Sequence, residues 1–489
     1  MPERILIVGA SIAGLATALA LSRVGYEVTV LERDAEPPTG PPHELFTTWE
    51  RHGVPQLRHS HGFLAHLRNL LRDRYPDLLA VLLQAGAQER HFADSLPRTL
   101  APAYTPKAGD DDLTALLCRR TTFEGVLQRY VRAQPRVQLQ GGVQVRGVLY
   151  TAEGAVPRLI GITTCGGGTP AQLLADMVID ATGRRSPFPA WLRALSIPIE
   201  EETEPTGIIY YTRFYRLRQN STEPERTDHS SMGDLGYLKF GIFPADNRTF
   251  SLTLAIPTVE TDLRILRYNE VFTQVCRSLP ALAPWTEPHR AEPTSDVFAM
   301  GELHSCYRCV VSNGQPKVLA YFAVGEAAVH TNPLYGRGCA LSFLHAHLLA
   351  DVLRTVSDPV ARVVRFDAAT QNQLRPFYEA AVRRDREGLR QARQGMQPTR
   401  PLRLRARLRR AFVQHGLVPA MRGDLAVRRA FLRDFHMLEP PGRALRRPGI
   451  WLRILRFWLR GEKRNASLYP PRSGPERAEM RQLLGLAIP

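Results

Sequence analysis

Arg4-Ile-Leu-Ile-Val-Gly-Ala-Ser-Ile-Ala-Gly-Leu-Ala-Thr-Ala-Leu-Ala-Leu21 decides the fold. Ile5 to Val8 is a short apolar run of the kind a parallel central strand needs. Gly9-Ala-Ser11-Ile-Ala13-Gly14 leads from it into an Ala/Leu-rich helix. A second strand, Val28 to Leu31, ends at Glu32 and Arg33. This is a βαβ unit with a glycine-rich first turn and, about 20 positions on, an acidic residue placed to grip a ribose. Gly9 permits the tight turn and Gly14 lets the helix pack closely on the strand. The helix N-terminus offers free N–H groups and a partial positive charge to a pyrophosphate. Ser11 stands where the middle glycine usually does, and it is small enough to leave the pyrophosphate access. The expected ligand is an adenine dinucleotide, and this stretch leaves FAD and NAD both open.

With 489 residues the chain has room for two or three domains, and 44% hydrophobic with 23% charged residues describes an ordinary globular protein. The first strand begins at Arg4, which leaves no room for a secretory signal, and no apolar run approaches the roughly 20 residues of a spanning helix. A cytoplasmic protein is expected. The net charge of +17 is localised: from Arg383 onward there are 26 Lys and Arg against 8 Asp and Glu, so the rest of the chain is close to neutral. The excess therefore reads as an appended surface and not as the active site, and no nucleic-acid recognition motif accompanies it. Six cysteines are scattered without a disulfide framework. Cys306-Tyr-Arg-Cys309 lacks the second pair or the histidines that zinc wants, and it opens an extended segment rather than a helix, so both are read as ordinary thiols and no metal is expected.

Further along, Leu64 to Gly86 reads as one or two helices interrupted at Pro76, and Leu116 to Val131 as a helical stretch entered through Arg119 and Arg120. Strand-like runs follow at Val137–Leu139, Val143–Leu149 and Met177–Asp180. The last delivers the chain into Asp180-Ala-Thr-Gly183, a tight turn where a backbone can approach a ligand closely. A third piece, Ala323 to Ser342, ends a strand at Gly325-Glu326 and opens a helix through the loop Asn332-Pro-Leu-Tyr-Gly-Arg-Gly338.

Together the three pieces resemble the group A flavoprotein monooxygenases. The resemblance is closest to the flavin-dependent polyene epoxidases of polyether pathways. It rests on Arg51-x-Gly-Val-Pro-Gln-x-Arg-His-x-His61, Asp180-x-Thr-Gly-Arg-x-Ser-Pro187, Asn332-Pro-x-Tyr-Gly-x-Gly338 and Tyr211-x-Arg213-x-Tyr215-Arg216, within roughly residues 1 to 355. It implies a Rossmann-like α/β FAD-binding domain of the glutathione-reductase type, assembled from separated parts of the chain, with an antiparallel β-sheet substrate domain and a C-terminal helical region. The implied division is 1–190 and 298–360 for the FAD domain, 191–297 for the substrate domain and 361–489 for the basic helical region. The FAD residues it implies are Gly9, Ser11, Ala13, Gly14, Glu32, Arg33, Arg51, Arg120, Asp180, Gly183, Gly325, Glu326, Pro333, Gly336 and Gly338. Arg120 is preferred to Arg119 by its spacing ahead of the helix, and Glu326 replaces the family's usual aspartate with one more methylene.

The implied reaction takes O2 and inserts one oxygen atom into a small apolar substrate, by epoxidation or hydroxylation, through a peroxide on the flavin ring. Catalysis is then largely flavin-borne, with His59 and His61 as weak acid/base candidates. NAD(P)H enters as a transient reductant or through a partner reductase, because no second dinucleotide fingerprint is visible. Three alternatives share the fold: a reductase or dehydrogenase of a polyprenyl-like or other lipid, a halogenase-like enzyme, disfavoured because no WxWxIP element is present, and a membrane-surface scaffold with a degenerate flavin site.

Alternating and β-branched runs at 208–213, 237–243 and 250–256 read as the antiparallel sheet. Tyr210, Phe214, Tyr237, Phe240, Phe243 and Phe250 are candidate cavity aromatics, half of them expected on the other face. The tail reads as helical from Leu402. Trp451, Ile454, Leu455, Trp458 and Leu459 form an apolar stripe among Arg453, Arg456 and Arg460, suited either to packing on the body or to lying on an anionic membrane surface.

Overall fold

The computed structural model describes residues 3–166, 169–396 and 404–486. Arg4–Val8 is the middle strand of a five-stranded parallel sheet ordered Tyr321–Ala323, Met177–Asp180, Arg4–Val8, Glu27–Leu31, Val137–Gln140. All five strands are short, and the three inner ones are mainly apolar, as a sheet covered on both faces demands, while the edge strand Val137–Gln140 buries only Leu139. Register brings Val8 level with Leu31 on one side and Asp180 on the other, and Asp180 level with Ala323. The turn after Gly9, the Glu32 segment, the 181–187 loop and the 324–338 segment therefore all leave the carboxyl edge of one sheet, where ligands of such folds bind. Helices Ile12–Arg23 and Gly338–Thr355 pack on each other against this sheet, and their buried Leu15, Leu19, Phe343 and Leu349 join Ile5, Ile7 and Val30 in its core.

The second sheet runs Met232–Asp234, Lys239–Pro244, Thr249–Pro257, Ile208–Leu217, Ala291–Pro293. Along Thr249–Pro257 the faces differ in size: Leu252, Leu254 and Ile256 enter a core with Leu263, Phe272 and Leu282, whereas Ser251, Thr253 and Ala255 face the other way. Small residues on that second face leave room above it. A separate antiparallel meander, Gln144–Thr151, Arg158–Gly166 and Thr169–Leu174, flanks the parallel sheet.

Several boundaries differ from expectation. Phe298–Met300 pairs with Ile208–Leu217, so the substrate sheet runs past the predicted limit at 297. Ala115–Leu117 is a strand paired with Gln88–Arg90, and the helix that follows begins only at Arg120. The start of the tail at 402–403 lies outside the described residues, and Leu404–Phe412 is helical. In the helix Pro448–Arg464 the buried seam is Ile454 with Phe457, which face Ala420 and Val427, rather than the predicted five-residue stripe. Trp451 and Trp458 turn their rings to Phe412, while Leu459 is 74% exposed and Leu452 60%. No helix among the described residues is long and apolar enough to cross a membrane.

Candidate functional site

A cavity of about 1020 Å³ opens at the carboxyl edge of the parallel sheet and continues beneath the small-residue face of the antiparallel one. Two glycines set its shape. Gly9 has φ 106°, and a Cβ there would stand 2.6 Å from the Ala181 carbonyl oxygen; one on Gly14 would stand 1.8 Å from that of Gly9. Strand, helix and the 181–187 loop therefore close on one another only with glycine at both places. Gly9, Ser11 and Ala13 line the cavity, while Gly14 lies behind it. Ser11 is the N-cap of the helix yet makes no side-chain cap, so its hydroxyl is left for another partner.

That partner is Arg120, whose Nη2 donates to Ser11 Oγ at 3.0 Å while its Nε pairs with Glu124 at 3.0 Å. Arg119 turns the opposite way and is consumed by Asp246, which accepts from its backbone N–H and its guanidinium. Of the two neighbours only Arg120 lines the cavity. Glu32 is also at the cavity wall; Oε2 accepts from the Ala10 N–H at 2.8 Å and Oε1 from the Asp34 backbone N–H at 3.0 Å. Arg51 is buried among Glu32, Glu124 and Asp34, three carboxylates around one guanidinium, and so fixes Glu32 as well as lining the site. Arg33 lines the rim with 54% of its side chain exposed.

The 59–61 loop is stitched to the antiparallel sheet: Ser60 Oγ meets Ser251 and Thr253 at 2.7 and 2.6 Å, and His59 Nδ1 meets Thr212 Oγ1 at 3.1 Å. Arginine can only donate, so Arg120 Nη1, 3.3 Å from His61 Nε2, fixes the tautomer in which His61 Nδ1–H donates to the His59 carbonyl at 2.9 Å. Burial first, then the Arg184 charge, lowers His59 to about 4; burial and Arg120 lower His61 to about 3. Both rings are neutral at pH 7 and act as hydrogen-bonding anchors.

Asp180 is fully buried and does not line the cavity. Its Oδ1 accepts from Thr182 N–H and Oγ1, its Oδ2 from Ser186 and Tyr321, so it shapes the turn whose Thr182, Gly183 and Arg184 do line it. The direct contact expected of Asp180 is thus replaced by an indirect one, because its lone-pair directions are used by the loop and by Tyr321 of the neighbouring strand. Gly325, with φ 57°, likewise sits behind the wall, where a Cβ would lie 2.5 Å from that of Ala13. Glu326 does line it, beside Arg184 at 3.5 Å and Gln56 Nε2 at 3.4 Å. Burial pushes its carboxyl up, but Arg184, His330 and Arg120 together hold it below the usual value. Pro333, Gly336 and Gly338 complete the wall; Gly336 has φ 64°, and a Cβ on Gly338 would stand 3.2 Å from Glu326 Oε1.

Sequence reasoning missed what holds this last loop. Asn332 Oδ1 accepts from Leu334 N–H and from the Tyr210 hydroxyl, and Asn332 Nδ2 donates to Asp385 at 2.7 Å, as does the Tyr335 hydroxyl at 2.9 Å. Asp385 belongs to the helix Arg375–Met396, and burial raises its carboxyl to about 6. The Asn-Pro pair of a capped turn was a visible signal for Asn332; nothing local marks Asp385. The reading of the arginine-rich region as a surface apart from the site is also corrected, because Arg422, Arg428, Leu432, Phe435 and His436 line the same cavity. Of the aromatic candidates Tyr210, Phe240 and Phe243 line it; Phe214 packs on Phe46 at 4.6 Å, Phe250 on Tyr215 and Trp285, and Tyr237 bonds the Pro475 carbonyl.

The residues present fit a flavin dinucleotide. An uncapped helix N-terminus with no acidic residue in its first turn, joined by Ser11 and Arg120, suits a pyrophosphate, and Glu32 stands where a ribose is held. A cradle that a Cβ at Gly338 would narrow opens onto the second helix.

Comparison with known proteins agrees with this geometry. Residues 4–86 match the FAD dependent oxidoreductase family model. Protein Rv3254 of Mycobacterium tuberculosis is 29% identical over 373 residues, 72% of this chain and 73% of its own. PqsL of Pseudomonas aeruginosa, a probable FAD-dependent monooxygenase, superposes with TM-score 0.54 at 16% identity, over 80% of this chain and 99% of that one. The anhydrotetracycline hydroxylase OxyS of Streptomyces rimosus superposes with TM-score 0.55 at 17% identity, over 90% and 76%. The fold is that of the FAD-dependent monooxygenases, and FAD is the cofactor of the oxidoreductase that these matches support.

Proposed function

We propose that this oxidoreductase is a monooxygenase that moves one oxygen atom from O2 to an apolar organic substrate, by epoxidation or hydroxylation. The observation that carries the reading is the continuity of the cavity: the dinucleotide cradle at Gly9, Ser11 and Glu32 and the wall formed by Tyr210, Phe240, Phe243 and Ala255 enclose one space. FAD bound there supplies the redox chemistry, with reducing equivalents from NAD(P)H or a partner reductase.

The chain's own residues bind, orient and exclude water. Arg120 and Ser11 take the pyrophosphate at the helix N-terminus, and Glu32, immobilised by Arg51, takes the ribose. The loop Pro333–Gly338, held by Asn332 and Asp385, sets the floor between cofactor and substrate space, and the N-terminus of Gly338–Thr355 directs its dipole at developing negative charge. His59 ties the 59–61 loop to Thr212 of the antiparallel sheet and His61 ties it to Arg120, both rings being neutral at pH 7.

The test is to reduce the purified yellow protein with NADPH under nitrogen, or with a flavin reductase if NADPH alone does not act, and then admit air. Return of the oxidised spectrum with consumption of O2 is the expected result. A reduced flavin that persists in air would exclude the monooxygenase and favour an oxygen-independent reductase.

A further inference from the structure

The helix Leu425–Phe435 is clamped on three sides. Asp424 caps it by accepting from Ala426 and Val427, Arg429 pairs with Asp110 at 2.6 Å and lies over Phe92, and Leu432 joins Phe92, Leu96 and Leu113 in a small core. Clamped in this way, the helix presents Arg428, Leu432 and Phe435 to the cavity. The neighbouring arginines of the helix have carboxylates, Asp110 for Arg429 and Glu439 for Arg433. Arg428 has none among the described residues. Its one side-chain hydrogen bond among the described residues runs from Nη2 to the Ser95 carbonyl at 2.6 Å, and its Nε is shielded from solvent without a partner there. Arg422, the next charge along the wall, also has an unpartnered Nε, and its carboxylate, 3.6 Å away on the half-exposed Asp228, is a loose one.

Half-burying a guanidinium without a counter-ion is costly, and a like charge beside it adds to the cost. Burial and then Arg422 lower Arg428 to about 10. The adjacent His436 is no counter-ion in either protonation state, and burial and Arg428 hold it neutral. Packing does not explain why this one arginine of a well-paired helix faces a ligand cavity unpaired; a missing anion does.

We infer that Arg428, seconded by Arg422, anchors a carboxylate of the substrate. The substrate is then an amphipathic acid whose apolar body lies along Phe240, Phe243 and Ala255 toward the Pro333–Gly338 loop. This deepens the monooxygenase reading and rests on it.

Dodecanoate and its methyl ester, added to the flavin-loaded protein, test the assignment through the change in flavin absorption and the shift in melting temperature. Dodecanoate is expected to bind at least about tenfold more tightly than the ester, as a charge-assisted bidentate pair would give. R428Q is expected to erase that preference, R428K to retain part of it, and neither to lower the melting temperature of the ligand-free protein by more than the loss of the one hydrogen bond to the Ser95 carbonyl explains, because the charge has no carboxylate partner there. A preference absent from the native protein, or surviving intact in R428Q, would overturn the inference while leaving the flavin reading standing. If the protein takes up no flavin, the melting shift alone still reads Arg428, and the monooxygenase reading fails separately.

Discussion

The glycine turn at 9–14 and the arginine-rich helices after 404 line one cavity, yet they are specified in different ways. In the turn, side chains are excluded: a Cβ on Gly9 or Gly14 meets backbone at 2.6 or 1.8 Å, so local geometry alone sets the residue type. In the helices, long side chains are placed by distant partners, as when Asp110 fixes Arg429 across 319 positions and leaves Arg428 facing the cavity. Arginine itself shows the contrast. Arg51 is buried among three carboxylates, whereas Arg453 reaches Asp424 with 54% of its side chain exposed.

The largest effect expected is collective and bears on whether the two regions are one unit. His59 and His61 in the cradle, His330, His345 and His347 around the second flavin helix, and His436 in the C-terminal part all have folded values between about 3 and about 4, because burial disfavours the imidazolium. The unfolded chain takes up protons near pH 6.5 that the folded one refuses until far lower, so stability is full above that pH and falls as pH drops toward 4. Asp385, raised to about 6, has the opposite sign, its contribution being lost as pH rises through 6, and so have Asp180 and Asp367, whose carboxyls burial also raises, but these are three groups against six. Urea melts between pH 7 and 4.5 should therefore show a falling midpoint in a single transition. Two transitions would separate the regions.

Among substitutions, Arg51→Leu comes first. It leaves Glu32 without a cation, Asp34 with only the loose Arg33 at 3.8 Å and Glu124 with Arg120 alone, and breaking such a buried network costs about 3–5 kcal/mol, read as a loss of urea stability together with flavin retention. Gly14→Ala forces the helix off its strand at a cost of about 3 kcal/mol, with flavin affinity reduced in step. Asp385→Ala leaves Asn332 Nδ2 and the Tyr335 hydroxyl without an acceptor, costing about 1–3 kcal/mol and freeing the loop to faster proteolysis near Pro333. Arg453→Ala should change stability by under about 1 kcal/mol, as for exposed pairs generally. A large loss there would erase the contrast between the two arginines.

What was legible in the chain follows the same division. The βαβ unit, the 180–187 and 325–338 pieces and the antiparallel sheet were readable because glycines, prolines and strand periodicity act within a few residues of themselves. Arg120 was separable from Arg119 by spacing, and the structure turns the first to Ser11 and the second to Asp246. The orientation of Asp180 was not legible, since a carboxylate at a strand end can face the crevice or its own turn, and Ser186 and Tyr321 decide that here. Phe457 replaced the outer half of the predicted stripe because the seam of a docked helix is set by its neighbours, here Ala420 and Val427, and not by its own period. Asp385 and Arg428 were invisible for a related reason: their partners lie 50 or more residues away.

The central claim is that the glycine turn, Glu32 and the Pro333–Gly338 loop form one working FAD site. The visible absorption spectrum of the purified protein, with the released cofactor identified after denaturation and its amount compared with that of protein, tests it most directly. The account predicts flavin bands, or their appearance on loading, with one FAD per chain and their loss in Gly14→Ala. A colourless protein that takes up no FAD at any concentration would contradict it.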